Sequence, residues 1–148
     1  MVIETLQKLF RRDLEKLKTE ISLYKEEAAL WVVEKGITNP AGNLCLHLAG
    51  NLNAFIGAQL GGTGYVRNRE LEFSQKDIPR AELLQQLDAT ILAVEQTLNM
   101  LKEEDLEKDY PVIVFKDRMT TGYFLLHLLA HLGYHLGQVN YHRRLLDQ

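Results

Sequence analysis

The sequence predicts an all-α protein, a four-helix bundle forming one domain over residues 1–148. Three observations predict it. Apolar residues recur three or four apart through four long segments, the spacing that lines one face of a helix. Only one run, PVIVF (111–115), reads as extended. With 46% apolar and 25% charged residues, a chain of this length buries a real core without disulfides or structural metals.

The first helix is predicted from Ile3, Leu6, Phe10, Leu14, Leu17, Ile21, Tyr24, Ala28 and Trp31, one continuous stripe, with Gly36 as its stop. Asn39 and Pro40 then read as N-cap and first residue of a second helix. Its apolar face is Leu44, Leu48, Leu52, Phe55, Ile56 and Leu60, and the GGTG stretch (61–64) ends it. A third helix begins near Pro79, where Leu84, Leu87, Ile91, Val94, Leu98 and Leu101 alternate spacings of three and four, as in a bundle seam. Thr120 or Thr121 caps the fourth, which runs to about Leu146 on a stripe of Leu125, Leu128, Leu129, Leu132 and Leu136. The connections 65–78 and 104–118 exceed the usual links between bundle helices, which suits a crossover topology and a roof over one end. PVIVF, in the second of them, reads as a short extended segment. No internal repeat or second domain is visible.

Charge narrows the partners. A net charge of −3 offers no basic excess for a nucleic acid. The basic residues of the first helix, Lys8, Arg11, Arg12, Lys16 and Lys18, are interleaved with Glu4, Asp13, Glu15 and Glu20, a solvated face. Residues 36–66 and 119–142 lack Asp, Glu, Lys and Arg altogether. Neither holds the ~18 continuous apolar residues of a membrane span. The N-terminus meets charge at once, so no signal peptide is expected, and a lone cysteine fits a reducing cytoplasm. Cys45 lies two residues before His47, on a different helical face, and reads as a small buried apolar residue. Because the second and fourth helices lack charge, both are expected to be covered on more than one side, most simply in a homodimer.

The stretch HLLAHLGYHLGQ (127–138) sets His127, His131 and His135 four apart on a leucine-rich helix. Residues so spaced share a face, with Cβ atoms about 5–6 Å apart. A helical histidine pair is commonly plain packing or surface, yet burying imidazoles among leucines is costly unless each ring nitrogen has a partner. A divalent cation would supply one. The helix drifts 40° per four residues, so His127 and His135 diverge by about 80°. One ion can therefore take two of the three, leaving the other a different task. Of the remaining histidines, His47 is flanked by Leu44, Leu46 and Leu48, whereas His142 precedes Arg143 and Arg144; His47 is the better third ligand.

NLCLHLAGNLNAFIGAQLGG (43–62), YVRNRELEF (65–73) and HLLAHLGYHLGQ together resemble the DinB/YfiT-like superfamily, in a branch without assigned function. The resemblance covers nearly the whole chain. It implies a bundle of up-down-down-up connectivity and a divalent metal held by one histidine of helix two and two of helix four. Matched position by position, the ligands are His47, His131 and His135. His127 matches a position that is often histidine without being a ligand. Leu136 stands where the superfamily commonly has arginine, which leaves the ligands untouched.

Three neutral imidazoles leave a cation its full charge and at least one open coordination position, the pattern of catalytic sites. Zinc, nickel and iron all suit imidazole, with zinc or nickel favoured here. Arg67 and Arg69 are candidates for holding an anionic substrate, or for pairing with Glu70, Glu72 or a helix end. Asn51 and Gln138 are placed to orient ligands, and Tyr134 or His127 to move a proton, unless each merely packs. Helices two and four contain no carboxylate, so a general base would have to come from elsewhere. The resemblance favours a metal-dependent thiol S-transferase acting on a small molecule with a low-molecular-weight thiol, since characterised relatives include thiol-dependent transferases and an isomerase. A hydrolase using metal-bound hydroxide and a non-catalytic, stress-associated metal-binding bundle are the alternatives.

Overall fold

The first apolar stripe is helical only as far as Leu23. In the computed structural model, which describes residues 1–34 and 36–148, α1 spans Val2–Leu23 and buries Ile3, Leu6, Phe10, Leu14, Leu17 and Ile21. Ala28 and Trp31 continue the stripe in sequence but belong to a separate 3₁₀ turn, Glu27–Trp31. The break has a tertiary cause. Asp147, at the far end of the chain, accepts the backbone N–H groups of Lys25 (2.6 Å) and Glu26 (3.1 Å), which a continuing helix would have given to its own carbonyls. Gly36 therefore stops no helix; it turns within the following link, at φ +86°.

Helix α2 starts one residue later than expected, with Pro40 in an extended conformation as its N-cap. It is α-helical over Ala41–Leu52, widens to a π-helix over Asn53–Ala58 and closes with an α turn, Gln59–Gly61. The widened turn is held sideways, since Asn53 Nδ2 donates to the Ala49 carbonyl and to Thr90 Oγ1, each at 2.8 Å. Gly62 ends the helix at φ +62°, a left-handed conformation that glycine adopts without strain. A short helix unforeseen in the sequence, α3 (Arg69–Ser74), occupies the 65–78 connection, its first turn capped by Asn68 accepting from Leu71 N.

The third bundle helix, α4, spans Arg80–Met100. Leu83, rather than Leu84, sits on its fully buried seam with Leu87, Thr90, Ile91, Val94, Thr97 and Leu98. After a 3₁₀ turn at Glu103–Glu107, PVIVF forms no strand: Val112, Ile113 and Phe115 are exposed, and a single antiparallel bridge joins Asp109 to Thr120. An extended run with no neighbouring strand has no ladder to join. The fourth bundle helix, α5, spans Thr121–Leu146, with the Thr120 hydroxyl accepting from Tyr123 N at 3.1 Å.

Cross-helix pairs give the directions. Gln7–Asn99, Arg11–Glu95 and Lys18–Asp88 run antiparallel between α1 and α4. His47–His131 and Phe55–Phe124 do the same between α2 and α5. Asn53–Thr90 and the close approach of Gly61 to Thr97 set α2 parallel to α4, and α1 and α2 each pack against both α4 and α5. This is the up-down-down-up arrangement.

Every residue of Ala41–Leu52 is buried by the chain itself, under α3, the Glu27–Trp31 turn and the bundle neighbours. The lack of charge on α2 is thus matched by burial within the chain itself. Helix α5 differs. Tyr123, Leu126, Tyr134 and Tyr141 are each more than half exposed, and Ala130, Gly133 and Gly137 lie exposed between them. Among the described residues no helix is long and apolar enough to cross a membrane.

Candidate metal centre

Three residues of α2, Asn43, His47 and Gly50, carry the site's framework. Asn43 Nδ2 donates to the carbonyls of Glu72 (2.9 Å) and Gln75 (2.8 Å), tying the end of α3 down onto α2. His47, one turn on, then meets Glu72: its Nδ1 lies 3.0 Å from Glu72 Oε1, and Phe73 packs against its ring at 4.9 Å. Gly50, three residues further, faces the same carboxylate so closely that a Cβ there would lie 2.0 Å from Glu72 Oε2. Arg67 closes the group from the α2–α3 link, donating from Nε (2.8 Å) and Nη2 (2.9 Å) to the two oxygens of Glu72. Burial by itself would raise the Glu72 carboxyl. The hydrogen bonds from His47 and Arg67, with the guanidinium charge, outweigh it and hold the group below the usual carboxylate range.

Since a carboxylate only accepts, His47 Nδ1 carries the hydrogen and its Nε2 presents a lone pair. That Nε2 lies 3.2 Å from His131 Nε2, which in turn lies 3.1 Å from His135 Nε2. His135 is oriented in the same manner, with Nδ1 donating to Gln138 Oε1 at 2.6 Å. The three histidines offer nitrogens that all lie within 4.8 Å of one another. Four-coordinate zinc with imidazole at about 2.0–2.1 Å would put neighbouring nitrogens about 3.3–3.4 Å apart, and six-coordinate geometry slightly closer. The donor set and its spacing fit a divalent cation. His47 is buried, while His131 and His135 are half-buried. Burial first, then the neighbouring histidines and Arg67, push the His131 ring down to about 4; burial and His47 lower His135, against a raising hydrogen bond from Gln138. Both rings are neutral near pH 7, with lone pairs available.

The remaining expected residues divide. Gln138 Oε1 accepts from His135 Nδ1. Asn51 is buried, and its Oδ1, like His131 Nδ1, has no hydrogen-bond partner. His127 lies outside the cluster, stacked on Phe124 (5.8 Å) and edge-on to Phe115 (5.0 Å). Tyr134 is 66% exposed, its ring edge-on to His135 at 5.3 Å. Arg67 is given over to Glu72 instead of facing outward for an anion, and Arg69 lies over the Phe73 ring at the surface. His142, expected near solvent, is buried, with Nδ1 2.7 Å from the Tyr24 hydroxyl and Nε2 2.8 Å from the Val32 carbonyl. Cys45 is fully buried, and burial pushes its thiol up to about 12, as befits an inert packing residue.

Glu72 is the residue in contact with the cluster that the sequence offered only as a partner for Arg67 or Arg69. Its signal was the absence of any carboxylate on helices two and four, which required one to arrive from a connection.

Comparison with known proteins adds one finding. No curated protein matches the chain. The model of a protein family described as "Protein of unknown function (DUF1572)" matches residues 2–148, so the chain belongs to that family.

Proposed function

We propose that this protein is a DinB/YfiT-like, metal-dependent thiol S-transferase, with one divalent cation, zinc or nickel, on His47, His131 and His135. The observation that carries the reading is the convergence of the three Nε2 atoms, two of them with lone pairs aimed by hydrogen bonds to Glu72 and Gln138. When bound, such a cation supplies a Lewis acid that lowers the pKa of a coordinated thiol or water. The chain's own residues bear on the choice between these two. Glu72 is occupied by His47 and Arg67 and is held ionised, so its geometry suits orienting His47 more than taking a proton from water. A thiol, with an ordinary pKa of about 8.5, needs no such base. This favours thiol chemistry over hydrolysis.

The protein is expected to act in the cytoplasm as a homodimer covering the neutral outer face of α5. Metal analysis after loading with zinc or nickel, followed by conjugation assays with a low-molecular-weight thiol, tests the reading. Near-stoichiometric metal, lost in His47→Ala and His135→Ala with helix content unchanged, is the expected result. Equal metal content in wild type and variants would overturn it. A metal-loaded protein that hydrolyses esters and ignores thiols would transfer the assignment to the hydrolase alternative.

A further inference from the structure

One flank of α5 borders a cleft of about 510 Å³, within the range of small-molecule sites. We propose that this cleft takes an uncharged, partly apolar organic substrate, delivered to the three-histidine centre at His135. The proposal rests on the metal reading above and names its substrate class.

His135 is the link, since it belongs both to the nitrogen cluster and to the cleft wall. Ile37, Leu44 and Leu145 supply apolar surface, and Tyr134 and Tyr141 supply aromatic surface. Gln138 and Thr38 add hydrogen-bonding groups without charge. Among the described residues lining the cleft there is no Asp, Glu, Lys or Arg. A charged group on a ligand body would therefore give up hydration with no countercharge among the described lining residues to replace it. The arginine nearest the cluster does not alter this. Arg67 donates from Nε and Nη2 to the two oxygens of Glu72, so its charge is already balanced. Arg69 lines a different surface groove, with Glu70 and Phe73. Only the donor atom that reaches the metal can then be ionised, while the rest of the molecule stays neutral.

The test uses cobalt(II)-loaded protein titrated with benzyl mercaptan and with 3-mercaptopropionate, following the sulfur-to-cobalt absorption band. The expected result is a benzyl mercaptan affinity about tenfold or more above that of the anionic thiol. Thr38→Trp, which fills the cleft from its exposed rim, is expected to weaken benzyl mercaptan about tenfold at unchanged cobalt content. Equal or tighter binding of 3-mercaptopropionate, or indifference to Thr38→Trp, would overturn the proposal. Failure to retain cobalt would strike the metal reading instead. The cleft is then judged on metal-free protein by saturation-transfer NMR with benzyl alcohol: a signal abolished by Thr38→Trp supports it, and no signal in wild type sinks it.

Discussion

His47 Nδ1 meets Glu72 Oε1 at 3.0 Å, although 25 residues and a helix break separate them. The contact selects one tautomer and points Nε2 at His131. Partners of this kind typically account for about 10–100-fold in metal affinity. Glu72→Gln keeps an acceptor but loses the charge, and it is expected to weaken metal binding about tenfold; Glu72→Ala should weaken it further. Competition with a chromophoric chelator measures both. Unchanged affinity in Glu72→Ala would remove Glu72 from the site.

Arg67 and Glu72 are a nearly buried pair, their side chains 16% and 6% exposed. Removing the cation leaves a carboxylate with only His47 to face it. Arg67→Met is therefore expected to cost about 2–4 kcal/mol in urea unfolding, less than the loss for a fully enclosed pair because some water reaches the arginine. The double variant Arg67→Met/Glu72→Leu should recover much of that stability while metal affinity stays low.

Gly50 has no room for a methyl group. Its Cβ would overlap the Glu72 carboxylate, so Gly50→Ala must displace that side chain or open the α2–α3 contact. A stability loss of about 1–3 kcal/mol and weaker metal binding are expected together. Gly137→Ala, where nothing in the chain lies within 4 Å of a Cβ, should leave metal binding unchanged.

His131, His135 and His142 are all shifted downward, chiefly by burial. A histidine with a depressed folded pKa binds its proton more readily when unfolded. Stability is then whole above the unfolded value of about 6.5 and is lost as pH falls below it. For His131 the loss continues to about 4. Thermal unfolding of metal-free protein should show a falling midpoint from pH 7 to pH 4, and His142→Gln should flatten part of that slope. A midpoint constant across this window would contradict the burial of these rings.

The outer face of α5 offers Leu126, Ala130, Gly133 and Gly137 with no charge among them. Ala130→Glu is expected to turn a dimer into a monomer in sedimentation at micromolar concentration. A wild-type monomer under the same conditions would dismiss the dimer outright.

The amphipathic periods determined the four bundle helices, because burying an apolar stripe is what a helix of this composition requires. They also limited the candidate ligands, since three histidines at four-residue spacing cannot all face one point on a helix drifting 40° per step. What periodicity could not see was competition from residues distant in the chain. Asp147 ends α1 at Leu23 by taking the N–H groups of Lys25 and Glu26, and nothing local at those positions announces it. The same holds at the site. Glu72 is an ordinary acidic residue in a connecting segment until Asn43 ties α3 onto α2 and Gly50 leaves it room. His142, beside two arginines, becomes buried because Tyr24 and Val32 satisfy both of its nitrogens. Local pattern decided which faces are apolar and which residues carry chemistry. Only the tertiary structure decided which lone pairs meet, since tautomer, burial and the neutrality of the cleft depend on groups brought together by packing.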